Sequence, residues 1–186
     1  MELTIKEIEL AYLGASIAAG CKPCTSYHFR KLKDAEATEE EIKTAITVSN
    51  DIRDAAKEEM ENHAMNLLGT STQSEVNTDN LNPDRIRVLV SISAAFAANC
   101  TSTLNNHIAL AKSAGVTNKD INKIFRAAKL VKMKAASHVD KIAVRFEETK
   151  SSEGDIETDG CGCSEDTSNV QTKSNKAEAD VENGCC

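Results

Sequence analysis

The sequence predicts an all-α protein. Apolar residues recur every three or four positions through most of the first 150 residues, no stretch alternates with period two for long, and an offset of 79 residues lays the second half of that body on the first. The chain of 186 residues suits one body with a shared core, residues 1–150, followed by a segment of different composition, residues 151–186.

The first helix is written from Leu3 to Ala19 by Ile5, Ile8, Leu10, Leu13, Ala15 and Ile17, and Gly20 weakens it where the first cysteine arrives. A second helix runs from about Lys22 to Ala35, with Pro23 in its first turn, where no intrahelical N–H bond is required. Thr38-Glu39-Glu40-Glu41 is a capping box: the threonine accepts from the N3 amide and the N3 glutamate reaches back. It opens a long helix to about Leu68, with Ile42, Ala45, Ile46, Ile52, Ala56, Met60 and Leu67 on the expected buried stripe. Residues 69–82 form a polar connection, and Asn82-Pro83 reads as an N-cap with proline at N1.

The pattern then restarts, so repeat one spans about 3–68 and repeat two about 82–148. The offset places Leu10 on Leu89, Ala15 on Ala94, Cys21 on Cys100, His28 on His107, Thr38 on Thr117 and Ile42 on Ile121. Gly115 stops the fifth helix, Thr117-Asn118-Lys119-Asp120 caps the sixth, and that helix continues to about Glu147. Two losses stand out: Cys24 becomes Thr103 and Glu9 becomes Val88.

The net charge of -7 lies in the last segment, where nine acidic residues face two lysines; residues 1–150 hold twenty charges of each sign. A neutral body with an acidic tail has no basic surface to neutralise phosphates, which argues against nucleic acid and anionic membranes as partners. The longest weakly polar runs, 11–21 and 88–100, are far shorter than the ~20 residues of a bilayer span. The opening MELTIKEIEL carries Glu2, Glu7 and Glu9 where an export signal wants a basic flank, so the expectation is a soluble, cytoplasmic protein.

Seven cysteines, an odd number gathered in close pairs, do not make a secreted disulfide framework; reactive or metal-binding thiols fit better. At ~100° per residue, Cys21, Cys24 and His28 fall within an arc of about 60° on one helix face, with the cysteines in its first turn. The outward N–H groups of that turn favour a thiolate, and an imidazolium four residues on acts in the same sense, which makes Cys24 the candidate low-pKa sulfur. Three readings stay open on the residues alone: a redox dithiol with Cys21 resolving what forms on Cys24, a zinc site of two thiolates and His28, and a pair of small apolar side chains in a helix turn. Tyr27 sits one residue off the Cys-His face, Cys100 and His107 read as a relic without a partner thiol, and His63 and His138 carry no functional signal.

The repeat, the small-residue helix running into G-C-x-x-C-x-x-x-H, and the following K-L-K-D-A-E-A-T-E-E-E-I together resemble the carboxymuconolactone decarboxylase-like superfamily, and within it the alkylhydroperoxidase D-like branch. The similarity covers both repeats, roughly residues 3–148. It implies a peroxidase or disulfide reductase without a bound cofactor, assembled as a trimer or hexamer and supplied with electrons by a dithiol donor protein. It also implies roles: Cys24 attacks the peroxide, Cys21 closes the disulfide, and His28 with Glu9, twelve residues before the first cysteine, relays protons. Residue geometry alone does not reach Glu9. Folding the first two helices back as an antiparallel hairpin sets Glu9 level with Lys31, several turns from Cys24; a wider crossing angle or a neighbouring subunit is needed to bring it in, and otherwise it is a carboxylate on a solvated helix face.

Residues 151–186 lack aromatics and have few large aliphatics, so disorder is expected. Cys161, Cys163, Cys185 and Cys186 ride on this acidic segment, whose ~30 Å reach is comparable to the radius of the body. Two uses follow: exchange with a Cys21–Cys24 disulfide, or capture of a thiophilic ion such as arsenite, copper(I) or zinc by body and tail cysteines.

Overall fold

A computed structural model of the chain describes residues 2–70 and 84–148. The expected tail and its four cysteines, and the Asn82-Pro83 cap, lie outside the described residues. Within them the protein is all-α, with six helices: α1 Ile5–Ala18, α2 Lys22–Asp34, α3 Glu39–Leu67, α4 Arg85–Ala97, α5 Thr101–Ser113 and α6 Asn118–Glu148. None is long and apolar enough to cross a membrane.

Local chemistry sets the boundaries. Thr4 and Thr38 each make the reciprocal capping box, with Glu7 and Glu41 respectively, and the Asp120 amide donates to Thr117 Oγ1 at the head of α6. Thr4-Ile5-Lys6-Glu7 is legible as a capping box and starts α1 two residues later than the apolar pattern does. At the head of α4, Asp84 occupies the N-cap position without a side-chain cap bond, and the helix begins at Arg85. The turns between helices need left-handed backbone, at Gly20 (φ 67) and Asn99 (φ 61) before the cysteines and at Glu36 (φ 53) and Gly115 (φ 76) before the long helices. Each pair is separated by the same 79 residues, as are α2 and α5.

At the centre, α1 crosses α4, each flanked by both long helices: α3 and α6 pack on α1 and also on α4. Leu10, Leu13, Ile42, Val48, Ile52, Val90 and Ala94 fill one side of this crossing; Ala11, Leu89, Ile92, Ile121 and Ile124 fill the other. Ser93 Oγ donates to the Ala11 carbonyl at 2.7 Å across it, which leaves neither group unsatisfied in the core. Backbones approach so closely there that a Cβ on Gly14 would lie 2.8 Å from Val90 Cγ1 and 3.1 Å from Ser49 Oγ. Arg85 Nε meets Glu7 Oε1 at 2.6 Å at the edge.

The expected stripe of α3 holds only in its first half. Ile42, Ala45, Val48 and Ile52 are buried, but Met60 is 58% and Leu67 77% exposed, because the α1–α4 pair is too short to cover a 29-residue helix. The same happens on α6, where Val139, Ile142 and Phe146 are exposed.

Candidate functional site

The turn at Gly20 releases the chain so that Cys21 becomes the N-cap of α2 (φ -89, ψ 94). Its Sγ takes the place usually held by a serine or aspartate oxygen and accepts from the Cys24 amide at 3.2 Å. Pro23 in the first turn needs no N–H partner, so the turn closes with both sulfurs on the same side. Cys21 and Cys24 are joined as a disulfide, with their Cα atoms 5.3 Å apart. Both are buried, in an apolar shell of Ala15, Ala97, Ala128 and Val131.

One turn further along α2, His28 is enclosed. Its side chain is 3% exposed, its Nδ1 lies 2.9 Å from Glu9 Oε2, and its Nε2 has no hydrogen-bond partner among the described residues. Tyr12 stacks on the ring with centroids 4.5 Å apart and planes within 2°, and Tyr27 meets it edge-on at 5.0 Å. The hairpin estimate for Glu9 is thereby corrected. The α1–α2 crossing lets Glu9 reach His28 within one chain, and the Glu9 side chain is only 17% exposed, not on a solvated face. Glu9, Tyr12, Tyr27, His28 and Lys31 line a cleft of about 820 Å³ open to solvent, with the disulfide outside its walls.

A further correction concerns the histidine that approaches the sulfurs. Among the described residues, Cys21, Cys24 and His138 have ligand atoms that all lie within 4.8 Å of one another, and His28 is not in this group. Periodicity on α6 gave no hint of His138, yet the 79-residue offset did hold one: it lays His138 on Glu59, and Glu59 in turn sits beside Cys100. Tyr12 was missed as well, although it lies one turn beyond Glu9 on the same helix.

Around Cys100 the backbone repeats the first site (φ -89, ψ 98), but the chemistry differs. The Cys100 thiol donates to Glu59 Oε2 at 3.0 Å and lies 2.9 Å from Thr103 Oγ1, and Ser102 Oγ also donates to Glu59. These bonds, from Cys100 first and then Ser102, hold the Glu59 carboxyl below the usual carboxylate range. His107, the counterpart of His28, is buried without a partner for Nδ1 among the described residues, and burial pushes its pKa down.

The family model for the carboxymuconolactone decarboxylase family matches residues 2–68. Neither the curated proteins nor the solved structures hold a match to the chain.

Proposed function

We propose that the chain, whose residues 2–68 match the model of the carboxymuconolactone decarboxylase family, is a thiol-dependent oxidoreductase of the alkylhydroperoxidase D-like type. The observation that carries the proposal is a buried Cys21–Cys24 disulfide at a helix start, one turn from a His28–Glu9 pair that faces a solvent cleft.

In this reading the Cys24 thiolate attacks the peroxide O–O bond, giving a sulfenic acid and an alcohol once the leaving oxygen takes a proton. The Cys21 thiol then displaces water to form the disulfide. A dithiol donor restores two thiols and leaves as its own disulfide. The His28–Glu9 pair supplies and recovers the protons, with the Glu9 carboxylate 2.9 Å from Nδ1 orienting the ring. The Cys24 amide at the Cys21 sulfur supports charge there while the donor attacks its neighbour. Reduction of a disulfide substrate oxidises the same dithiol to the Cys21–Cys24 disulfide, and the substrate leaves as two thiols.

The assembly proposed with this reading is a homo-oligomer, in contact through the exposed apolar ends of α3 and α6, in line with the family resemblance. The test of function is one equivalent of cumene hydroperoxide added to the reduced chain, followed by peptide mass spectrometry. The expected product is one Cys21–Cys24 disulfide per peroxide consumed, with Cys24→Ser abolishing consumption. Peroxide consumption that survives in Cys24→Ser would refute the proposal.

A further inference from the structure

We infer that the reduced Cys21–Cys24 pair, together with His138 from α6, forms a binding site for a borderline-soft divalent cation of the zinc class. Both sulfurs come from one turn of α2, and a ring nitrogen of His138 lies within 4.8 Å of each. Nε2 of His138 is buried and has no hydrogen-bond partner among the described residues, which is a cost the fold carries unless something at the site accepts it.

The donor set decides the class of ion. Two thiolates and an imidazole suit zinc or another thiophilic ion and have little affinity for hard, oxygen-seeking cations. Tetrahedral zinc, with Zn–S of ~2.3 Å and Zn–N of ~2.0 Å, holds its donor atoms about 3.5–3.8 Å apart. Opening the disulfide frees the two sulfurs to separate to that distance, and the imidazole needs a shift of about 1 Å to join them. Unlike His28, which shares a helix with the cysteines, His138 approaches from a different helix, so its nitrogen can move toward the two sulfurs independently of α2.

Charge points the same way. Two thiolates in a pocket walled by Ala15, Ala97, Ala128 and Val131 carry two negative charges with little solvation, and a divalent cation cancels both. The sequence of events balances: a dithiol reductant converts the disulfide to two thiols and becomes a disulfide itself, then the cation displaces two protons to solvent and binds two thiolates. The oxidised pair cannot bind the ion, so the site exists only in the reduced chain. The inference requires a reducible disulfide but no peroxide chemistry, and therefore stands or falls separately from the proposed activity.

The test uses the full chain with Cys161, Cys163, Cys185 and Cys186 replaced by serine, so that tail thiols add no signal, reduced with a phosphine and titrated with Co²⁺. The expected result is one Co²⁺ per chain with thiolate-to-cobalt charge-transfer absorption, displaced by Zn²⁺ and lost in Cys21→Ser/Cys24→Ser and in the oxidised chain. His138→Ala should weaken binding about tenfold or more, by analogy with the 10–100-fold that even indirect partners of a metal contribute. X-ray absorption at the zinc edge of the loaded chain reads the ligands without any variant at His138: two sulfurs and an imidazole are expected. Absence of a cysteine-dependent cobalt signal, unchanged affinity in His138→Ala, or a zinc shell without imidazole would each overturn the inference.

Discussion

Glu9 is the residue on which fold and proposed chemistry meet, and its replacement separates them. In Glu9→Ala, Nδ1 of His28 loses its 2.9 Å partner in a position where the ring is 3% exposed and Nε2 already has no partner among the described residues. An unsatisfied buried polar group costs about 1–3 kcal/mol, so at a urea slope of about 2 kcal/mol/M the midpoint should fall by roughly 0.5–1.5 M. Glu9→Gln keeps an acceptor oxygen at that place and should lose less than half as much. It cannot hold a negative charge or take a proton, however, and a positioned proton-transfer group contributes about 10²–10⁴-fold to rate. Peroxide-driven disulfide formation, followed by stopped flow in the reduced chain, should therefore slow by about 10²-fold in Glu9→Gln while the fold is largely kept. A wild-type rate in Glu9→Gln would remove Glu9 from the chemistry, and an unchanged urea midpoint in Glu9→Ala would show that the pair does not support the buried ring.

Gly14→Ala should destabilise the protein by up to about 2 kcal/mol, because overpacking against Val90 exceeds the gain of about 1 kcal/mol in helix propensity; the penalty should shrink in a Val90→Ala background, as a double-mutant cycle of urea midpoints would show. Burial lowers the pKa of His107, so below its ordinary value of 6.5 the unfolded chain takes up a proton more readily than the folded chain does. Stability should then fall as pH decreases below 6.5, by at most about 1.4 kcal/mol per unit, and His107→Gln should flatten that slope. The Glu59 carboxyl acts in the same sense in a more acid window: its depressed pKa contributes stability that is present above pH 4.5 and is lost as pH falls through the folded value, so Glu59→Gln should lower the midpoint at pH 6 and have little effect in acid.

The helices were legible because their signals are local. Thr38 and Glu41, Pro23, Gly20 and Gly115 each act within one turn, and the elements end within a few residues of where these residues say. Burial was legible only in part. The apolar rows of α3 continue through Met60 and Leu67, and nothing in a helical period tells how far a partner helix extends over them. The candidate site shows the same division. Cys21, Cys24 and His28 share one helix and could be found by spacing, whereas Glu9 depends on the angle at which α1 crosses α2, and His138 depends on where the far end of α6 passes. Those are tertiary quantities that a hairpin estimate cannot supply.

The two long helices make the body reciprocal. α6 brings His138 to the cysteines of the first half, and α3 brings Glu59 to Cys100 of the second, with the two residues 79 positions apart, the same offset that separates Cys21 from Cys100. Neither half therefore encloses its own cysteine, and each cysteine turn is completed by the other half. The two cysteine turns differ in the donors that surround them. At the first position a thiol pair faces an imidazole, a set able to exchange electrons or hold a soft ion. At the second, Thr103 stands for Cys24, Val88 for Glu9 and Glu59 for His138, and a carboxylate takes up the hydrogen bonds of Cys100 and Ser102. With no second sulfur within one turn of Cys100 and its thiol engaged by Glu59, that turn cannot close a disulfide of its own. The proposed redox chemistry therefore rests on the Cys21–Cys24 turn, while the Cys100 turn carries hydrogen bonds of the fold.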